Sequence, residues 1–415
     1  MSEIPTQSLG AGAPALVSPL AASLGFAEAF GEIAATAARR EREQRLPHAE
    51  IATLKSLGFG ALRLSADDGG HGVSLSELFA LARDLAAADS NIAHAFRNHF
   101  WQVEAALQRR DHPFHAHVLD LARRRKSVGL SFADSDATAA GARSSRVLSR
   151  LEWDARRQVY VGSGDKVYAT GNLYNDAFVG VAVESRANDT VQYVLERGEG
   201  VATEDDWQGF GQRLTGSGTA RFRDVVVQAA HVYACDPPKA PEAAPWGFTF
   251  HQVYLTNCIA GIVRRVVLDA VAVLRTRQRN FYHGEAAQPA DEPALQALLG
   301  RIRAYATSIE ATAQRAVQAL EHAAQKNGTS DEYASTLAAT LAASEAKVVI
   351  DDLAPQVASW LIDLGSGSAV SSVAALDRHW RNIKVIASHN PRLYKERLLG
   401  QNLLTGQLPP TGAFF

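Results

Sequence analysis

The stretch QVYVGSGDKVYATG, Gln158–Gly171, is where the chain changes period. Apolar and polar residues alternate in two short runs around Gly162-Ser163-Gly164, and this pattern predicts a β-hairpin. TVQYVLERG (Thr190–Gly198) and GTARFRDVVVQ (Gly218–Gln228) alternate in the same way. Together they predict an antiparallel sheet. On the N-terminal side the period is helical. In PHAEIATLKSLGFGAL (Pro47–Leu62) the apolar Ile51, Leu54 and Leu57 share a helix face, and Gly58 supplies a stop. Ser74 and Glu77 form an S-x-x-E capping box, and Ala88–Asn91, ADSN, predicts a break between two helices. On the C-terminal side four long amphipathic patterns follow, within Asn257–Phe281, Ala294–Gln325, Tyr333–Gly365 and Val370–His389. Short connections between such patterns predict a four-helix bundle. The fold class is therefore α+β, mainly α. It divides into an N-terminal helical domain (1–125), a middle antiparallel β domain (126–240) and a C-terminal helical bundle (241–415). Cys235–Gly247, CDPPKAPEAAPWG, reads as a linker, and Met1–Phe30 as a short leader feeding a helix.

Composition narrows the function. The chain has 415 residues, nearly half apolar, and a net charge of −2. That balance does not suit a nucleic-acid or anionic-membrane partner. No apolar run reaches bilayer length and no basic segment precedes one at the N-terminus, so a cytoplasmic protein is expected. The run RRRK (Arg123–Lys126) reads as a solvated face. Two cysteines, Cys235 and Cys258, give no disulfide framework and no metal spacing. HPFHAH (His112–His117) fits no zinc pattern and reads as surface between helices. The only methionine is Met1. Mutational bias, avoidance of oxidisable side chains near a peroxide-producing site, and sulfur economy each account for such scarcity.

Several motifs carry a family resemblance. LKSLGFGALRLSADDGGHGVS (Leu54–Ser74), GSGDKVYATGNLYNDAFV (Gly162–Val179), and LRTRQRNF (Leu274–Phe281) followed by EPALQALLGRI (Glu292–Ile302) resemble segments of the acyl-CoA dehydrogenases. The resemblance spans nearly all of the chain beyond residue 40 and implies their fold. Those dehydrogenases place a glutamate near the end of the last helix to take the substrate's α-proton. Here that place reads Ser388-His389-Asn390-Pro391, with no carboxylate. The sequence is instead similar to the flavin-dependent monooxygenase branch, the dibenzothiophene monooxygenase-like enzymes. DDWQGFGQRLTGSGTARFRDVVV (Asp205–Val227), DRHWRNIKVIASHNP (Asp377–Pro391) and NIAHAFRNHF (Asn91–Phe100) carry that similarity.

The resemblance implies a two-component enzyme. A separate NAD(P)H-dependent flavin reductase supplies reduced FMN, with FAD as the alternative. The flavin reacts with O₂ to give a C4a-hydroperoxide that oxygenates a small, organosulfur substrate, and the protein assembles as a homotetramer. It also assigns roles. His389 handles the peroxide proton near neutral pH, where an imidazole both donates and accepts; a histidine that only terminates the helix is the alternative. Asn390 replaces the relatives' Asp and so lowers the pKa of His389. Thr170 sits beside the flavin ring, or is an ordinary strand threonine. Trp207 packs near the flavin, and Thr215 and Ser217 are short donors to a flavin or phosphate oxygen. His94 and Asn98, four apart on one helix face, line the substrate pocket with Leu130. Arg277 and Arg279 meet the flavin phosphate of a neighbouring subunit, or are solvated helix arginines. No residue is assigned to a metal. The other readings are an N- or C-hydroxylase using the same flavin chemistry, an acyl-CoA dehydrogenase with a displaced glutamate, and a non-catalytic flavin-binding protein.

Overall fold

A computed structural model describes residues 14–134, 147–234 and 246–410, with the side chains of 246 and 247 left out. Most of the leader, Cys235 and nearly all of the linker lie outside those residues. Seven helices come first: α1 (Pro19–Ser23), α2 (Ala27–Glu43), α3 (His48–Ser56), α4 (Leu75–Ala88), α5 (Ser90–Ala95), α6 (Arg97–Leu107) and α7 (Pro113–Arg123). Eight strands follow: β1 (Val128–Ser131), β2 (Arg150–Asp154), β3 (Val159–Lys166), β4 (Ala177–Glu184), β5 (Thr190–Glu196), β6 (Val201–Thr203), β7 (Ala220–Gln228) and β8 (Val232–Ala234). The chain then returns to helices: α8 (Trp246–Thr276), α9 (Pro293–Gln325), α10 (Glu332–Gly365), α11 (Asp377–Ala387) and α12 (Arg392–Thr405).

The local signals at the N-terminal side operate as their chemistry requires. Gly58 ends α3 with φ +87°, and the Ser74–Glu77 box closes in both directions at 2.7 and 3.1 Å. Replacing Ser74 by alanine removes one partner of the Glu77 amide and costs about 1 kcal/mol locally. Amide exchange at Glu77 is expected to quicken about fivefold, while α12 stays unchanged. Asp89 caps α5, so the break at ADSN is real. A second break at Phe96 divides α5 from α6.

The sheet order is β6-β7-β3-β2-β4-β5-β8, with β1 also on β4. The sheet is mixed, not wholly antiparallel: β1 and β2 both run parallel to β4, along the two halves of the same edge. Glycines 162 and 164 do not turn a hairpin. β3 runs straight through them against β7, with a bulge between Gly162 and Gly164. A Cβ on Gly164 would stand 2.1 Å from Ser149 Oγ, and one on Gly162 2.8 Å from a Leu151 methyl. These glycines therefore permit close approach of the β2 segment, a need that mimics turn composition.

Strand alternation buries both sheet faces. Val128, Ala177, Val179 and Val194 pack with Val103, Val118 and Leu121 from α6 and α7. Leu151, Phe178, Tyr193 and Phe222 form the opposite layer. The largest core joins α2, α4 and α6 to α8, α9 and α10, so the first and last helices share one interior. The last predicted helix begins later than its periodicity suggests, at Asp377, and α12 extends beyond the four expected helices. HPFHAH is not loop surface. His112 caps α7, and His115 is buried against Tyr233.

A buried ionic cluster fixes α11 on α8. Asp269 accepts from Arg265 (2.8 Å), Arg378 (3.0 Å) and His379 (2.7 Å). Three donors on one carboxylate hold it ionised, well below the usual carboxylate range despite burial. This anchor sets where the turn after α11, carrying His389, must lie.

Candidate active site

The site forms where three regions meet: the α5–α6 break, two loops of the sheet, and the N-terminal part of α8 with the α11–α12 turn. His389 occupies that turn, beyond the last residue of α11, with its amide on the Ile386 carbonyl at 3.1 Å. Its Nε2 is 3.2 Å from Arg97 Nη1. A guanidinium only donates, so Nε2 accepts and the imidazole proton resides on Nδ1. His389 is exposed, although protein packs densely around it. Burial first, then Arg97, His94, His251 and Lys347, push its pKa well below 6.5. It is neutral at neutral pH, which corrects the expectation of a group titrating there. The lowering does not need the Asn390 exchange. Asn390 turns away to Gln252, and its Oδ1 has no partner among the described residues.

His94 Nδ1 bonds Gln212 Oε1 at 2.9 Å, and Gln212 Nε2 donates to Ser90 Oγ at 2.9 Å. Since the amide oxygen accepts, His94 carries its proton on Nδ1. Its buried Nε2, an acceptor, has no partner among the described residues. Burial and then Arg97 push its pKa down to about 3. Asn98 lies across the helix break but faces the same way, donating to the Thr170 carbonyl at 3.1 Å.

Thr170 is not in a strand. It lies in the turn after β3, next to Gly171, whose φ is +84° and where a Cβ would stand 2.6 Å from the Ala95 carbonyl oxygen. Only glycine lets this loop touch the end of α5. Ser217 Oγ donates to Thr170 Oγ1 at 3.0 Å, and Thr215 Oγ1 stands 2.6 Å from Ser217 Oγ. Thr215 Oγ1 spends its one proton on the Gln212 carbonyl at 2.9 Å, so Ser217 donates to either Thr215 or Thr170; where it serves Thr170, the Thr170 proton points onward. Trp207 is half-buried, donates to the Gln212 carbonyl at 3.0 Å, and meets Tyr168 edge-on. Thus Trp207 and His94 hold the two ends of one residue, Gln212.

The DDW and HWRN segments are neighbours. Asn382 Oδ1 accepts from the Gln212 amide at 2.6 Å, Arg381 donates to the Phe210 carbonyl at 3.0 Å, and Phe210 stacks on Trp380. Leu130 packs with Phe132 at the edge of the α6–α7 and sheet core. The two expected arginines are not brought to this site. Arg277 bonds the Arg279 and Leu364 carbonyls and lies over Phe281. About 38 Å of helix separates His251 from the end of α8 that precedes Arg277, so neither arginine reaches this chain's own His389.

Four further residues join the site: Arg97 and Gln212 lie inside the NIAHAFRNHF and DDW motifs without a role assigned there, and Trp101 and His251 lie in no motif. Arg97 and Trp101 are one turn apart on α6, and the fold brings Gln212 and His251 to them. Trp101 packs on His251 at 4.8 Å and on Phe132 and Phe248 at 6.1 and 6.4 Å. The position of Arg97, between His94 and Asn98, was the one available signal. Among the described residues no group of histidine, cysteine or carboxylate side chains is arranged to hold a metal, and no helix is long and apolar enough to cross a membrane.

Comparison with known proteins adds a family to this geometry. Residues 26–109 match the model "Acyl-CoA dehydrogenase, N-terminal domain" and residues 255–391 match "Acyl-CoA dehydrogenase, C-terminal domain". A relative from Pseudomonas putida, "Probable FMNH2-dependent monooxygenase SfnC", is 25% identical over 92% of this chain and 94% of its own. The FMN-bound structure of TdsC from Paenibacillus sp. A11-2, a dibenzothiophene monooxygenase, superposes with a TM-score of 0.82. Its identity is 22% over 95% of this chain and 99% of its own. Methanesulfinate monooxygenase MsuC from Pseudomonas fluorescens gives 0.80 and 24% identity over 96% and 100%.

Proposed function

The chain belongs to the acyl-CoA dehydrogenase family, and from that premise we propose that it is a reduced-flavin-dependent monooxygenase acting on a small organosulfur compound. One observation carries the reading. Where the dehydrogenases hold a carboxylate base stands His389, a neutral imidazole held by Arg97. Such a site lacks a base for α-proton removal and has hydrogen-bond donors instead. The relatives SfnC, TdsC and MsuC support the same chemistry.

The residues fit a flavin. Thr170, Ser217 and Thr215 form a buried cluster of hydroxyls, and Trp207 offers an aromatic face beside it. These residues would hold FMN, which when bound and reduced activates O₂ for transfer of one oxygen atom. The protein's part is to keep His389 Nδ1 and Thr170 Oγ1 protonated and directed, and to exclude water. Burial and the Arg97 bond supply the first, and the Trp101–Phe132–Phe248 wall contributes to the second. The proposal includes a NAD(P)H-dependent flavin reductase as the cytoplasmic source of reduced FMN. It also includes a homotetramer in which Arg277 and Arg279 serve the flavin phosphate of a neighbouring copy.

Anaerobic titration tests the cofactor. Reduced FMN is expected to bind tighter than reduced FAD, and Thr170→Val to weaken reduced FMN about tenfold by removing one donor. Equal affinity for Thr170→Val would contradict the assignment.

A further inference from the structure

Arg97 is buried, with 6% of its surface exposed, and it heads α6. Its recorded hydrogen bond is to His389, its Nε has no partner, and no carboxylate pairs with it among the described residues. A buried cation without an anion is costly, and proteins retain one chiefly where a ligand supplies the missing charge. We propose that the substrate of this site is an organic oxyanion of the sulfinate or sulfonate class, with Arg97 as the residue that pairs its charge. The inference rests on the oxygenase reading of the site and narrows its substrate.

The surroundings agree on sign. The charged and titratable groups acting on His94, His251 and His389 are cations or other imidazoles, with no Asp or Glu among them. Tyr254 and Cys258, on the α8 face toward Arg97, stay neutral because burial raises both, Cys258 to about 12. Arg97 itself is pushed down only to about 10 and stays charged. His94 Nε2, Arg97 Nε and His251 Nδ1 are all buried without partners among the described residues. The guanidinium can also present its second terminal nitrogen. Beyond this polar end stand Trp101, Phe132 and Phe248. One end suits an oxyanion and the other an apolar tail. A neutral thiophene or sulfone would leave Arg97 unpaired, and a site built for a charge discriminates against ligands lacking it.

Methanesulfonate and dimethyl sulfone differ by one oxyanion in place of one methyl and make the test direct. Isothermal titration of the whole protein is expected to show methanesulfonate binding at least tenfold tighter. Arg97→Gln should abolish that preference by weakening methanesulfonate, and Arg97→Lys should retain part of it. Dimethyl sulfone binding as well as methanesulfonate in the unmutated protein overturns the inference, so the result does not depend on the variants folding. So does Arg97→Gln binding methanesulfonate normally. The flavin phosphate is the competing source of negative charge. Loss of FMN affinity in Arg97→Gln with riboflavin affinity intact would assign Arg97 to the phosphate and overturn the substrate assignment. Anion binding through Arg97 without reduced-flavin-dependent oxygenation would keep this inference and overturn the oxygenase reading. Oxygenation of neutral sulfones alone would do the reverse.

Discussion

Replacing His389 by alanine is expected to lower product formation by about 10²–10⁴-fold, the range for losing a positioned proton donor. Arg97 occupies Nε2, which leaves the proton on Nδ1. The imidazole is neutral over the working range, since burial and the neighbouring cations hold its pKa well below 6.5. It therefore donates a hydrogen bond without changing charge. The rate should show no inflection from this residue between pH 6 and 8. Reduced FMN should still react with O₂ in the variant, with hydrogen peroxide released in place of product. Paired measurement of peroxide and product separates this from general damage. A variant losing both oxygen uptake and product would place His389 in folding or flavin binding instead.

Acid should destabilise the protein early. Burial is the first cause lowering the pKa of His94 to about 3, His99 to about 4 and His379 to about 4. His99 shows why protonation is resisted. Its Nε2 donates to the Gly60 carbonyl at 2.7 Å while its Nδ1 accepts from the Val128 amide at 3.1 Å. A second ring proton would break the Val128 bond. These folded-state pKa values lie below the ordinary 6.5, so the unfolded chain binds more protons between the two. The stability they contribute is complete above pH 6.5 and is lost as pH falls toward 4. At pH 5 each costs about 2 kcal/mol, together about 6 kcal/mol. That rivals the roughly 5–15 kcal/mol of a typical domain. Glu41, Glu104 and Asp351, whose carboxyls burial raises, act in the opposite sense as pH falls toward their ordinary values. Thermal unfolding followed from pH 7.5 to 5 should show a steep decline with proton uptake. A flat or rising midpoint would contradict the account.

Much of the fold was legible because it follows from local chemistry. Capping at Ser74, the stop at Gly58 and the long amphipathic runs of α8, α9 and α10 are properties of neighbouring residues. Gly162-Ser163-Gly164 misled because glycine serves two physical needs, turning and close approach, and sequence does not say which. The reversed direction of β1 and β2 against β4 is a pairing between distant segments and leaves no local mark. The site divides in the same way. His94, Thr170, Trp207, Thr215, Ser217 and His389 lie in motifs and converge in space through Gln212 and Arg97. Arg97 and His251 matter because the fold brings them to His389, and neither spacing nor composition marks that meeting. Arg277 and Arg279 show the converse, a motif that lies far from its own chain's site.

The most direct test of the central claim is isotopic. The protein would be mixed with anaerobically reduced FMN and then with ¹⁸O₂, in the presence of methanesulfinate, dimethyl sulfone or dibenzothiophene in turn. The account predicts one labelled oxygen atom in the product of at least one of them, methanesulfinate first, and loss of that product in the His389→Ala variant. No label in any product, together with bleaching of bound oxidised FAD by an acyl-CoA, would contradict it and return the chain to the dehydrogenases.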